Sequence, residues 1–204
     1  MPVSLISFPF AKSATLHLPS LTAITLKQLL SAFTAFRPTP FRPTLFWNVS
    51  LNRRPDVWER HPEYYAELDG VRTKVNVCLS SEGGLETVAG QLAETIRKRP
   101  GLEIVSVFPP DNQDYCRCAK CRTMSVSTAW FAFYNKLVAR LRGAFPDLKF
   151  ATIAYQGYLD PPACRIENTE FVEYASHLRC HIHKWDDPKC ERNAKELARL
   201  KAWL

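Results

Sequence analysis

The sequence predicts an α/β fold with parallel strands, and the order of its elements favours part of a (β/α) barrel of the TIM type. Short apolar runs typical of buried strands alternate with long amphipathic helices. Such alternation requires parallel strands joined by crossovers. No glycine-rich phosphate-binding motif follows any strand, which argues against a nucleotide-binding sheet. Because about four strands cannot close a barrel that needs about eight, we expect an incomplete barrel.

The elements are predicted from periodicity and from the residues that begin and end helices. Asp56 is a plausible N-cap for a short first helix. Strands are predicted over residues 74–79, 103–108, 150–155 and 178–183, and longer helices over 85–98, 127–144 and 191–204. Pro100-Gly101 ends the first long helix.

The chain divides into two regions by composition. No acidic residue precedes Asp56, and the first fifty or so residues are rich in Ser, Thr and Pro with a few basic residues. This composition is typical of a transit peptide or a non-native leader. We therefore expect residues 1–53 to be a poorly ordered leader and residues 54–204 to form the partial barrel domain.

Composition limits the classes of partner. The 204 residues are 46% hydrophobic, which indicates a globular chain, and no apolar run is long enough to span a membrane. The formal charge of +7 suits an anionic partner, but the basic residues are dispersed along the chain. Nucleic-acid binders usually concentrate such charge on one stripe, so we do not expect nucleic-acid binding. The sequence does not indicate an oligomeric state.

The residues most indicative of chemistry follow the strand at 103–108. Asp111 and Asn112 lie just beyond the carboxyl end of that strand, where parallel α/β folds build their active sites. A carboxylate beside an amide suits a glycosidase, which must donate a proton or stabilise an attacking acetamido group. An ordinary Asp-Asn turn after Pro-Pro would have the same sequence.

Three cysteines follow directly, at Cys116, Cys118 and Cys121. Thiols at this spacing can hold a structural zinc ion or form a disulfide with one thiol left over. Zinc prefers four ligands, and we expect Cys180 as the fourth, with other Cys and His residues near it as alternatives. In either form, the expected role is a staple for a long loop, and no cofactor is required for catalysis.

Five further residues are candidate sugar contacts, because sugar sites combine aromatic rings with charged groups. They are His61, Glu63, Arg72, Tyr155 and Trp185. Ordinary surface positions on a helix or strand end are the alternative for each.

The ordered motifs resemble the bacterial family called domain of unknown function 4838. The resemblance rests on His61-Pro-Glu-Tyr-Tyr through Gly70-x-Arg72, on Val77-Cys78-Leu79, on Asp111-Asn-x-x-Tyr-Cys116-x-Cys118-x-x-Cys121, on Ala154-Tyr155-Gln156 and on Pro161-Pro162. It covers roughly Trp58 to Trp203. Tyr115 replaces the tryptophan that is usual before the first cysteine of the loop, and the chain ends where relatives continue through further strands.

The resemblance implies a glycoside-hydrolase barrel that acts on a glycan, such as an N-acetylhexosaminide or a glucuronide, in a secreted or periplasmic protein. It also implies Asp111 and Asn112 as the catalytic pair. Two alternatives remain at this point: an inactive carbohydrate-binding remnant and a metal-stapled interaction module.

Overall fold

The structure, a computed structural model, describes residues 4–6, 43–51 and 55–203. In chain order its elements are β1 (Ser4–Ile6), β2 (Thr44–Asn48), α1 (Pro55–Arg60), β3 (Tyr65–Leu68), β4 (Val71–Val77), α2 (Glu82–Arg97), β5 (Ile104–Phe108), α3 (Val126–Arg142), β6 (Lys149–Ala154), β7 (Phe171–Tyr174) and α4 (Glu191–Lys201). Three short 3-10 turns lie at Pro62–Tyr64, Cys121–Thr123 and Gln156–Tyr158. None of the described helices is both long and apolar enough to cross a lipid bilayer.

Five strands form one parallel sheet in the spatial order β1-β7-β6-β5-β2. From β2 to β7, each strand of this sheet pairs with the next one along the chain, with no reversal of direction. A doubly wound sheet reverses its strand order at a switch point, whereas a barrel wall does not. The predicted parallel α/β fold of barrel type is therefore confirmed. Within the described residues, β1 and β2 are the two edges of an open sheet.

One face of the sheet packs against α2 and α3. Val105, Val107 and Phe150 on this face share a buried cluster with the apolar stripes of both helices. Each of these helices begins with a serine N-cap, since the Ser81 and Ser125 hydroxyls accept hydrogen bonds from the backbone N–H groups of the first helical turns. All of the long helices predicted from periodicity are present, within a few residues of their expected ends.

The parallel register fixes which residues lie on the opposite face. Phe46, Ser106, Ala151 and Phe171 are partners across four strands and therefore share that face. Glu173 lies two residues further along β7 and points to the same side. The Phe46 and Phe108 rings stack there with centroids 5.6 Å apart.

The structure corrects two of the predicted strands. Residues 74–79 do form a strand, β4, but it pairs antiparallel with β3 in a separate hairpin outside the parallel sheet. Residues 178–183 are loop, and the last strand of the sheet is β7, at residues 171–174. The loop at 178–183 folds around the side chain of Asn193, which hydrogen-bonds its backbone at Cys180 and His183.

The structure also moves the boundary of the folded unit. Residues 44–48, which fall within the expected leader, form β2 and pair with β5 along their whole length. Leu45, Trp47, Val49 and Leu51 are buried in the core. The boundary predicted at residue 53 is therefore too late, and the domain includes at least residues 43–51. Residues 1–3, 7–42 and 52–53 of the expected leader lie outside the described part of the chain.

Candidate functional site

Asp111 and Gln156 meet at the carboxyl edge of the parallel sheet. Asp111 follows β5 by three residues and Gln156 follows β6 by two, so their loops are neighbours. Gln156 Nε2 donates a hydrogen bond to Asp111 Oδ1 at 3.1 Å. This hydrogen bond holds the Asp111 carboxylate in place, and the side chain remains exposed to solvent. This is the edge at which ligands bind in parallel α/β folds.

Gln156 has two unusual features. Its φ angle is +51°, in the left-handed region that costs a non-glycine residue about 1 kcal/mol or more. Its Oε1 atom is buried and has no hydrogen-bond partner among the described residues. Buried polar atoms without partners are rare in folded proteins. The left-handed backbone and the buried Oε1 atom without a partner make Gln156 an unusual residue at this edge.

Asn112 holds the loop that carries Asp111. Asn76 Nδ2 donates to Asn112 Oδ1 at 2.6 Å, and Asn112 Nδ2 donates back to Asn76 Oδ1 at 3.1 Å. Asn76 Nδ2 also donates to the backbone carbonyl of Asp114 at 2.8 Å. The amide of Asn112 is thus engaged in a reciprocal pair with the β3–β4 hairpin, and the structure gives it a positioning role.

Aromatic rings lie at the same edge of the sheet. Tyr155 directly follows β6, and its ring lies 4.6 Å from the ring of His177, which follows β7. Both rings therefore extend the edge from the Asp111 loop across the next two strands. The sequence indicated Tyr155 but missed His177 and Gln156. Gln156 directly follows Tyr155, but its backbone conformation and its contact with Asp111 depend on the fold, and His177 precedes the run at 178–183 that was predicted as a strand.

Glu173 is a second carboxyl group near this edge. It lies in β7, is partly buried, and has no hydrogen-bond donor to its side chain among the described residues. Burial raises the pKa of the Glu173 carboxyl group above its usual range. Glu173 was not predicted from the sequence, because the four residues of β7 are too few to show a clear strand pattern.

The other predicted sugar contacts lie elsewhere. His61 pairs with Glu63 at 3.1 Å and stacks on Tyr64, beside a shallow cavity along α2. Arg72 Nη1 donates to the Tyr65 carbonyl at 2.7 Å.

Glu63 and Arg72 line a second cavity next to the cysteines. Trp185 lies in the loop before α4 under the guanidinium of Arg179. Within the described part of the chain, the structure brings none of these four candidates to the Asp111–Gln156 contact.

Four cysteines come together between the β3–β4 hairpin and the loop after β5. They are Cys78, Cys116, Cys118 and Cys121, and their sulfur atoms all lie within 4.8 Å of one another. Cys78 Sγ is 3.5 Å from Cys116 Sγ, 3.8 Å from Cys118 Sγ and 3.9 Å from Cys121 Sγ. These separations are far longer than the disulfide bond length of about 2.05 Å, and all seven cysteines of the chain are free thiols.

The fourth member of this group corrects the prediction. Cys180 does not lie near Cys116, Cys118 and Cys121. The fourth cysteine of the group is Cys78, which directly follows β4. Cys78 was overlooked because it is 38 residues from Cys116 and fits the apolar alternation of a strand. Hydrogen bonds from Cys116 and Cys121 hold the pKa of Cys78 far below the usual thiol range.

Cys180 belongs to a second group, with His183 and Cys190. Its Sγ lies 3.3 Å from His183 Nδ1, and the backbone N–H groups of His183 and Ile182 lower the pKa of its thiol to about 7. The buried Asn193 side chain accepts from the Cys180 N–H and donates to the carbonyls of His183 and Lys184. These bonds shape the loop that was predicted as a strand.

Comparison with known proteins places the chain in a family. A GH36 alpha-galactosidase from Geobacillus stearothermophilus, solved in complex with stachyose, aligns with a TM-score of 0.37 and 12% identity. The alignment covers 55% of this chain and 17% of that chain. No curated protein matches the sequence. The family model described as Domain of unknown function (DUF4838) matches residues 28–204, and the chain belongs to that family.

Proposed function

We propose that the chain is a carbohydrate-active domain that binds a glycan at the carboxyl edge of its parallel sheet and hydrolyses a glycosidic bond there. The observation that carries the proposal is the contact between Asp111 and Gln156. Carboxylate and amide groups at such an edge can hydrogen-bond sugar hydroxyls, and the Gln156 amide holds the exposed Asp111 carboxylate in position for such contacts.

The two carboxyl groups suit different roles in glycoside hydrolysis. Most glycosidases need one carboxylate and one protonated carboxylic acid on either side of the scissile bond. Asp111 is exposed and accepts a hydrogen bond from an amide, which suits the ionised partner. Glu173 is partly buried with a raised pKa, which suits the acid. Their strands, β5 and β7, are separated by β6, so the backbones lie about 10 Å apart.

The rings of Tyr155 and His177 support a sugar as the substrate. Aromatic faces commonly pack against the apolar face of a sugar ring, and these two rings lie at the same edge as the Asp111 loop. An N-acetylhexosaminide and a glucuronide are the substrates proposed, following the family resemblance. An acetamido group would be oriented by the carboxylate of Asp111, and a glucuronate carboxylate by the imidazole of His177.

Initial rates on aryl N-acetylhexosaminides and aryl glucuronides test the proposal. Asp111→Asn keeps the side-chain size but removes the charge, and we expect it to lower kcat by at least about 100-fold, since a catalytic carboxylate contributes at least that much. Asp147→Asn is the matched control, because Asp147 is exposed in the turn before β6 at the opposite edge.

Three outcomes are informative. Hydrolysis that is lost in Asp111→Asn and kept in Asp147→Asn supports the enzyme. Glycan binding without turnover by the unmodified chain supports the alternative of a binding domain at the same edge. Equal turnover by Asp111→Asn and the unmodified chain removes Asp111 from the mechanism and contradicts the proposal.

A further inference from the structure

The geometry points to a zinc ion bound by Cys78, Cys116, Cys118 and Cys121, and we propose that this ion fastens the loop after β5 to the β3–β4 hairpin. The proposal is independent of the proposed function, because it rests on the arrangement of the four sulfur atoms and the groups around them.

The spacing of the sulfur atoms fits tetrahedral coordination. A zinc–sulfur bond of about 2.3 Å places the sulfur atoms of a tetrahedral four-thiolate site about 3.8 Å apart. The three separations from Cys78 are 3.5, 3.8 and 3.9 Å. Four soft thiolate ligands in this geometry favour zinc among the common divalent ions and exclude magnesium and calcium, which prefer oxygen.

The chain supplies these ligands from two rigid places. Cys78 directly follows β4, and the loop ligands are fixed by backbone hydrogen bonds. Arg117 N–H donates to the Glu67 carbonyl on β3 at 2.8 Å, and Arg122 N–H donates to the Cys118 carbonyl at 3.1 Å. The site is therefore largely formed by the fold, with the hairpin on one side and the loop on the other.

The surroundings supply hydrogen-bond donors and positive charge. Glu67 N–H points to Cys116 Sγ at 3.3 Å, and the Ser80 hydroxyl lies within 3.5 Å of the sulfur atoms of Cys78, Cys118 and Cys121. Donors of this kind orient and stabilise metal-bound thiolates. A zinc ion with four thiolates carries a net charge of about −2. The adjoining cavity is lined by three basic side chains, Arg72, Lys120 and Arg122, and by two acidic ones, Glu63 and Glu67, so its lining carries a net positive charge that offsets part of this charge.

The ion would act on the loop that carries Asp111. Asn76 lies two residues before Cys78, and its partner Asn112 lies four residues before Cys116. The thiolate cluster and the Asn76–Asn112 pair therefore connect the loop after β5 to β4 at two successive points. Loss of the ion removes the contact that fastens the cysteine half of the loop to β4 and leaves the loop to the amide pair and to weaker exposed contacts, such as the hydrogen bond between Gln156 and Asp111.

Metal analysis of the full chain, purified in reducing buffer, tests the proposal. We expect Cys78→Ser to contain about one zinc equivalent less than the unmodified chain, because removing one thiolate opens a closed site. Cys164→Ser is the matched control, since Cys164 is partly buried and belongs to neither cysteine group. It should keep the full zinc content.

A second measurement keeps the test decisive if Cys78→Ser does not fold. In the Cys180→Ser, Cys190→Ser double variant, which removes the other group of ligands, cobalt should bind at about one equivalent and give the absorption of tetrahedral four-thiolate coordination. No metal in the unmodified chain, a disulfide between any two of the four cysteines in freshly purified protein, or an octahedral cobalt spectrum would overturn the proposal.

Discussion

Replacing Asn76 by alanine should destabilise the chain by about 3 kcal/mol, since each hydrogen bond contributes about 1 kcal/mol net. Asn76 is 6% exposed and makes three side-chain hydrogen bonds, two with Asn112 and one with the carbonyl of Asp114. The substitution also removes both partners of the Asn112 amide, and water at the exposed side of the loop can replace them in part.

The assay is equilibrium urea denaturation, followed by tryptophan fluorescence at pH 7 in the presence of zinc. Asn76→Asp is the informative companion, because it keeps the shape but turns the two donated bonds into contacts between acceptors. At pH 7 it should lose more stability than Asn76→Ala, since the new charge is buried and faces two oxygen atoms. The gap should narrow as the pH falls and the introduced acid becomes protonated. A loss below about 1 kcal/mol for Asn76→Ala would refute the reasoning, because it would mean that the three bonds exchange freely with water.

Three other substitutions give distinct expectations. Trp130→Ala should cost about 3–5 kcal/mol in urea denaturation, because its fully buried side chain lies at the centre of the core; a loss under about 1 kcal/mol would contradict that packing. Glu173→Gln should stabilise the chain at pH 7, because burial raises the pKa of Glu173 and its ionised form favours the unfolded state. The gain should vanish below the unfolded carboxyl pKa of about 4.3, and a gain that persists at about pH 3 would rule out this cause. Gly157→Ala should lower the melting temperature, since a Cβ atom there would meet the Tyr115 ring; Tyr115→Ala added to it should restore part of the loss, and no restoration would exclude the clash.

The sequence predicted the parallel strands and long helices well because burial on both faces and helical periodicity leave strong local patterns. Residues 104–108 and 149–154 are nearly continuous apolar runs, and α2 and α3 present one apolar stripe each. The strand β7 was not predicted, because its local pattern is weak. Its four residues follow a polar loop, while the alternation at 178–183 mimicked a strand.

Pairing between distant residues could not be read from the sequence. Periodicity predicted β4 as a strand but not that it pairs with β3 in a hairpin, since local pattern does not specify the partner. The same limit explains Cys78. Three of the four clustered thiols were predicted from their spacing, whereas the fourth depends on where the hairpin packs.

The candidate site was predicted in part. The rule that ligands bind beyond the carboxyl ends of parallel strands located Asp111 and Tyr155 correctly at that edge. Gln156 could not be singled out, because its left-handed backbone and its buried Oε1 are properties of the fold. His61 and Arg72 were selected for residue type alone, and type does not determine location.

Glycan binding at the carboxyl edge of the sheet is the central proposal, and an amide-resolved NMR titration tests it directly. N-acetylglucosamine oligosaccharides and glucuronides would be added to isotope-labelled chain. We expect chemical-shift changes that cluster at residues 109–115, 155–157 and 173–177. Another cavity lies at the opposite edge, lined by residues that include Arg97, Gly101, Phe145 and Lys149. Shift changes confined to that cavity would contradict the proposed binding site. The absence of any shift change with either ligand class would contradict it as well.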